Sequence, residues 1–303
     1  MNGIIPLWKE RGMTSHDCVF KLRKILHTKK VGHTGTLDPG VEGVLPICIG
    51  TATRIAEYLT DAGKTYEAVI SISRTTTTED AEGETVLENT EMKSFSRAQI
   101  EEVLASLTGV ISQTPPMYSA VKVNGKKLYE YARAGQEVER PTRQVTIHEL
   151  LLLDDAQQFD GQDVRFSVRV KCSKGTYIRT LAVQIGEALG YPAHMHELVR
   201  TASGSFSQTN CFTLAQVAEL MEAGHIDEAL LPVEHALRDY PYVEITADVD
   251  KQIHNGQVLP SHTLLTEHDK VVFGKNEKAV AVYIAHPTKP GMMKPDKMFP
   301  NVN

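Results

Sequence analysis

Fourteen residues, Gly32-His33-Thr34-Gly35-Thr36-Leu37-Asp38-Pro39-Gly40-Val41-Glu42-Gly43-Val44-Leu45, constrain this chain more than any other stretch. They hold four of its 21 glycines. That density is wrong for the interior of a helix or strand and right for a loop that bends sharply and lets a ligand approach the backbone. Pro39 drives Asp38 out of the helical region, so the loop presents one carboxylate in a defined direction. No Lys-Ser/Thr pair follows the last glycine, which removes a phosphate-cradling P-loop. A glycine-lined loop with one acid before a proline reads as a nucleophile or electrostatic anchor. It reads equally as a surface turn in which Asp38 caps a backbone group. The residues by themselves leave both readings open.

Composition narrows the classes. With 303 residues, 41% of them hydrophobic, the chain can build one large domain and a small one. It shows no apolar run of membrane-spanning length, and no basic and apolar leader at Met1-Asn2-Gly3-Ile4-Ile5-Pro6-Leu7-Trp8-Lys9. Cys18, Cys48, Cys172 and Cys211 are scattered without a C-x-x-C pair, the pattern of reduced thiols in a cytoplasmic protein. His194-Met195-His196-Glu197 lacks the spacing of a metal site, so no metal ligands are assigned and these histidines are expected to be structural or RNA-facing. The net charge of −6 argues against a nucleic-acid binder, but the cations are segregated. Lys21, Arg23, Lys24, Lys29 and Lys30 precede the glycine loop, and Arg165, Arg169, Lys171, Lys174 and Arg179 form a run without an acid. Such runs are read here as phosphate-holding faces, against the commoner meaning of a solvated face.

The pattern of elements is mixed. Thr14-Ser15 cap an amphipathic helix through Leu26, and a short helix is expected over Ala52 to Leu59. Tyr66 to Ser73, Gln144 to Leu153 and Val164 to Cys172 read as strands. Ser96 with Gln99 forms a capping box for a helix ended by Gly109. Thr176 to Leu189 reads as a helix stopped by Gly190, and another capped helix begins at Thr213. No βαβ rhythm appears, so the class is α+β with a mainly antiparallel sheet. Beyond Tyr240-Pro241, short runs at Val243-Glu244-Ile245, Gln257-Val258-Leu259, Lys270 to Phe273 and Ala279 to Tyr283 predict a β-rich unit of about sixty residues. The domains are therefore expected at 1–240 and 241–303. The final stretch with Pro287, Pro290, Pro295 and Pro300 is expected to be extended and partly mobile.

The glycine loop is similar to the catalytic loop of the bacterial tRNA pseudouridine synthase B (TruB) family, in which G-H-T-G-T-L-D-P carries the catalytic Asp. Lys64-x-Tyr66 and Thr76-Thr77-Thr78-Glu79-Asp80-Ala81-Glu82-Gly83 resemble that family's next motifs, in order. So do Pro115-Pro116-Met117-Tyr118-Ser119-Ala120-Val121-Lys122-Val123-Asn124-Gly125 through Gly135, Gly175-Thr176-Tyr177-Ile178-Arg179-Thr180-Leu181, and Leu198-x-Arg200-Thr201-x-x-Gly204-x-Phe206. Ile253-His254-Asn255-Gly256-Gln257 resembles, more loosely, the entry to the family's PUA-like RNA-binding domain. The sequence departs from the pattern at Lys9-Glu10-Arg11-Gly12-Met13-Thr14-Ser15, which lacks a proline, and at Val41, Arg74 and Val199.

The resemblance implies a pseudouridine synthase fold with a PUA-like domain over 241–303. It implies isomerisation of the T-loop uridine of tRNA without metal or cofactor, by a monomer that needs no protein partner and no membrane. The base is flipped out of its stack to be reached. Asp38 would be catalytic, with Arg179 pairing to it and Tyr66 stacking on the uracil and handling a proton. His33, Tyr66, Tyr177 and Leu198 would line the uridine pocket. A guide-RNA-dependent synthase, a non-catalytic tRNA chaperone on the same fold and a nucleoside hydrolase are the competing readings.

Overall fold

The computed structural model describes residues 1–299. The chain runs β1 (Gly3–Lys9), α1 (Ser15–Ile25), β2 (Val31–His33), β3 (Glu42–Ile49), a 3₁₀ turn (Gly50–Ile55) and α2 (Ala56–Asp61). It continues through β4 (Lys64–Ile72), β5 (Arg74–Thr76), β6 (Thr85–Glu88), β7 (Lys93–Ser96), α3 (Arg97–Ser106) and β8 (Gly109–Gln113). Next come β9 (Lys122–Val123), β10 (Lys126–Lys127), α4 (Leu128–Arg133), β11 (Arg143–Leu152), β12 (Gln158–Gly161) and β13 (Val164–Cys172). They are followed by α5 (Ile178–Leu189), β14 (Ala193–Ser203), β15 (Phe206–Ser207), α6 (Leu214–Glu222) and α7 (Glu234–Leu237). The last elements are β16 (Tyr242–Glu244), α8 (Asp250–His254), β17 (Leu259–Pro260), β18 (Val271–Lys275), β19 (Lys278–Ala285) and β20 (Met292–Met298).

These elements form two compact units. One comprises Gly40–Gly43 and Asp61–Ser203. Its strands lie in the order β14-β4-β13-β11-β8, antiparallel throughout. The first residues of β3 add the parallel contacts Val199↔Glu42 and Arg200↔Gly43, so the sheet is mixed. Strict alternation in β13 buries Val164, Phe166, Val168, Val170 and Cys172, as period-2 patterning requires. The capping boxes form as the sequence predicts at Ser96 with Gln99, and Gly190 ends α5 at φ +82°. Gly109 does not stop α3; Leu107 caps it and Gly109 opens β8.

The other unit comprises Met1–Pro39, Val44–Thr60 and the chain from Gly204 onward. Its central feature is a strand the sequence did not announce. Val44 to Ile49 is apolar at nearly every position because both of its faces are covered. Leu45, Ile47 and Ile49 pack with Cys18, Val19 and Leu22 of α1 and Val217 of α6. Val44 and Cys48 point the other way, into a core with Ile4, Ile55, Tyr58, Val272, Ala279 and Val282. The capped helix after Thr14 is present, whereas the helix expected from Ala52 begins as a 3₁₀ turn.

The C-terminal strands form a sheet ordered β16-β18-β19-β20-β17. It is not a loose appendage. Besides the shared core, Lys297 pairs with Glu57 at 2.7 Å, Tyr58 donates to Asp296, and Arg54 donates to the Met298 carbonyl. The stretch expected to be extended and partly mobile is extended at Met292–Met298, and there it is built into the sheet. That segment is a strand paired with β19, and its one proline, Pro295, fits because it lies at a register shift. Pro300 lies outside the described residues.

Candidate active site

Asp38 is half-buried, and the residues on either side of it are fixed. Ser15, the first residue of α1 and 1% exposed, accepts from the Leu37 N–H at 2.8 Å and donates to the Leu37 carbonyl at 3.2 Å. On the far side the Pro39 carbonyl accepts from the Gly12 N–H at 2.9 Å and from the buried Lys9 ammonium at 3.4 Å. Earlier in the loop, buried Thr34 donates to the Pro46 carbonyl at 2.9 Å. The Lys9-to-Ser15 segment therefore acts as a clamp on the loop, and its lack of a proline leaves that clamp intact. His33 ends β2 opposite Ile47, and its Nδ1 accepts from the Gly35 N–H at 3.4 Å.

The remaining predicted site residues belong to the other unit. Tyr66, 9% exposed, sits in β4 between Val170 of β13 and Arg200 of β14. Leu198, also 9% exposed, faces Ala68, two residues along β4 from Tyr66. Residues two apart on a strand share a face, so the register makes Tyr66 and Leu198 diagonal neighbours. Tyr177 is half-buried and is the last extended residue before α5. Arg179 lies in the first turn of that helix with its guanidinium buried. It donates to the Thr78 carbonyl at 3.0 Å and the Tyr118 carbonyl at 2.9 Å. The Asp80 carboxylate lies 3.7 Å away.

Asp80 is a residue the sequence reading missed, although its turn was among the motifs. It is anchored by Thr78 at 2.5 Å and by the Glu82 N–H at 3.1 Å. The turn hangs on β14 through the Met195 N–H, which donates to Glu79 at 3.0 Å. Glu79 adopts φ +63° and accepts from Thr180 at 2.8 Å. Burial raises its carboxyl above the usual carboxylate range, partly offset by that hydrogen bond and by Arg179. Burial also lowers Lys64, at the start of β4, to about 8.

Residues 23–178 match the family model described as TruB family pseudouridylate synthase (N terminal domain). Residues 179–238 match the one described as tRNA pseudouridylate synthase B C-terminal domain. The chain belongs to the TruB family of pseudouridylate synthases. It is similar to tRNA pseudouridine synthase B of Geobacillus thermodenitrificans, 57% identical over 99% of this chain and 100% of that one. The protein of the same name from Listeria innocua is 56% identical over 99% of this chain and 98% of its own length. A solved structure described as a Cbf5-Nop10-Gar1 complex superposes with a TM-score of 0.73 at 30% identity, covering 98% of this chain and 85% of that one.

In this TruB family member four of the five cations between Arg165 and Arg179 lie within ion-pair distance of a carboxylate. Arg165, Arg169 and Lys171 are the outward residues of β13, the polar half of its alternation. Arg165 pairs with Asp163 at 2.6 Å, Arg169 with its cross-strand partner Glu67 at 3.0 Å, and Lys174 with Asp61 at 2.9 Å. Asp163 stands just before the run, and Glu67 and Asp61 are supplied by β4 and α2. The earlier group is different: Lys21, Arg23, Lys24, Lys29 and Lys30 are all exposed beside the glycine loop of their unit. Among the described residues no group of three or more His, Cys, Asp or Glu is placed to hold a metal ion, and no helix is long and apolar enough to cross a membrane.

Proposed function

We infer that this chain is a tRNA pseudouridine synthase, an isomerase that converts the T-loop uridine of tRNA to pseudouridine. The observation that carries the reading is end-to-end kinship: 57% identity over 99% of the chain with a protein named tRNA pseudouridine synthase B. In the reaction the N1–C1′ bond breaks, the uracil turns over, C5 bonds to C1′, and the C5 proton is lost as N1 gains one. Nothing is oxidised or reduced.

In this proposal Asp38 acts on the ribose or the base from a loop clamped on both sides, a geometry that suits a preorganised carboxylate. Arg179 pairs with Asp38 to keep it ionised and aimed; the two carbonyls that hold its guanidinium favour such a role. Tyr66 stacks on the flipped uracil and Leu198 and Tyr177 complete the pocket, with His33 at the gap left by the nucleotide. The exposed cations from Lys21 to Lys30 meet the phosphates of the T stem-loop. The division into a catalytic part, 1–240, and a PUA-like RNA-binding part, 241–303, belongs to the same proposal. So do action as a monomer without a protein partner and a cytoplasmic location.

The test is a bare tRNA transcript incubated with the purified protein and mapped for pseudouridine. Parent protein should form it without added RNA or protein, and Asp38→Asn should bind tRNA and form none. Free uracil would indicate a hydrolase. Binding without product would indicate a chaperone, and product only with a guide RNA the guide-dependent class. Turnover by Asp38→Asn near the parent rate would remove Asp38 from the centre of the mechanism.

A further inference from the structure

Gln113 is the last residue of β8, 2% exposed, and its side-chain amide is fully engaged. Its Oε1 accepts from the Tyr177 N–H at 2.9 Å, and its Nε2 donates to the Tyr177 carbonyl at 3.2 Å. A single amide thus satisfies both backbone groups of one residue, 64 positions away in sequence, as a neighbouring strand would. The same Nε2 also donates to Gln184 Oε1 at 3.1 Å, and Gln184 Nε2 donates to the Ser112 carbonyl at 2.9 Å. The two glutamines form a closed relay between the end of β8 and α5.

What this relay holds is the start of α5. Tyr177 is the cap residue, extended at φ −101° and ψ 110°, and it has no side-chain cap of its own. With its N–H and carbonyl both fixed, the direction in which the Tyr177 side chain leaves the backbone is set, and so is the trajectory of the first helical turn that carries Arg179. The chain after Gln113 reinforces this. Pro115 and Pro116 stiffen it, and Tyr118 then offers its carbonyl to Arg179 at 2.9 Å. The segment from Gln113 to Tyr118 grips Tyr177 by its backbone and Arg179 by its side chain.

We propose that Gln113 is a positioning residue for the isomerisation, aligning Tyr177 and Arg179 through the backbone of Tyr177 while touching no substrate itself. The proposal rests on the functional reading above. Gln113→Met keeps the size of the side chain and removes both bonds to Tyr177; Gln184→Met removes only the outer half of the relay. Misplacement of a catalytic group by about 1 Å costs on the order of 100-fold in rate. Gln113→Met should therefore lower kcat for pseudouridine formation by about 10- to 100-fold while KM for tRNA stays within about twofold. Gln184→Met should lower kcat a few-fold, and the double variant should match Gln113→Met, because both act through one relay.

Amide hydrogen exchange across residues 175–180 should quicken in Gln113→Met, which reads the placement of Tyr177 independently of turnover. An unchanged kcat in folded Gln113→Met, a rise confined to KM, or unaltered exchange would overturn the proposal. If Gln113→Met does not fold, Gln184→Met decides: a few-fold loss in kcat with unchanged KM supports the relay, and parent-level kcat overturns it. A parent protein without turnover would remove the functional reading, and the exchange measurement would still decide whether Gln113 holds Tyr177.

Discussion

Replacing Ser15 with alanine tests whether the glycine loop is a preorganised catalytic element. The Ser15 hydroxyl is 1% exposed and makes two bonds to one residue, accepting from Leu37 N–H at 2.8 Å and donating to its carbonyl at 3.2 Å. Leu37 is itself 4% exposed, so water does not readily replace the lost hydroxyl. A buried polar group left unpaired costs about 1–3 kcal/mol. The N–H is orphaned outright, while the carbonyl loses one of two acceptor positions, so the total is about 2–4 kcal/mol. For a chain of this size each kcal/mol lowers Tm by roughly 2–4 °C. The fall should therefore be on the order of 4–16 °C, measured by circular dichroism melting. Asp38 follows Leu37 directly, so kcat at saturating tRNA should fall as well, by about 10-fold or more for a displacement approaching 1 Å. Affinity for tRNA should be little changed, because the lysines proposed to meet its phosphates are not tied to this bond. A variant that melts with the parent and turns over at the parent rate would refute the clamp.

Ending the chain at Tyr240 removes Val272, Ala279 and Val282 from the core they share with Ile4, Val44, Cys48, Ile55 and Tyr58. Re-exposing about half the burial of those five residues forfeits about 4–8 kcal/mol, comparable with the whole stability of a domain, about 5–15 kcal/mol. The truncation should be insoluble or molten, and a soluble product with a cooperative melt would show the shared core to be dispensable. Gly43→Ala combines a φ of +134° with a Cβ placed 2.3 Å from the Arg200 carbonyl oxygen and 2.6 Å from its nitrogen. Backbone strain of about 1–3 kcal/mol and overpacking of about 1–3 kcal/mol should show in the urea midpoint, and a shift within error would contradict the close approach of these strands. Burial lowers Lys64 from 10.5 to about 8, so between those values the unfolded state binds more protons and the parent gains stability as pH rises. Lys64→Met lacks that gain. Its stability relative to the parent should decline from pH 8 to pH 10, and a difference independent of pH would place the titration elsewhere.

Local signals in the sequence predicted the local structure well. Thr14, Ser96 and Thr213 cap helices because a short hydroxyl side chain can reach the N–H three residues on, which needs no tertiary partner. The alternation of β13 and the stop at Gly190 are likewise written in a few consecutive residues. Pro39 and the glycines marked Asp38 as an acid held in a loop, and family motifs gave it a chemistry. Where burial was complete on both faces the signal vanished, and Val44 to Ile49 has no period to detect; Met292–Met298, mostly half-buried, carries a proline and three charged residues yet pairs as a strand.

The sequence alone determined where the helices capped by Thr14, Ser96 and Thr213 begin, because a side-chain cap depends on neighbours within a few positions. Tertiary structure decided which charges are neutralised, since Glu67, Asp61 and Asp80 come to the cations from elements far away in the chain. It also decided which backbone groups steady the site. Ser15 reaches Leu37 across 22 residues and Gln113 reaches Tyr177 across 64, and a buried hydrogen bond of that span exists only once the core has brought both ends together.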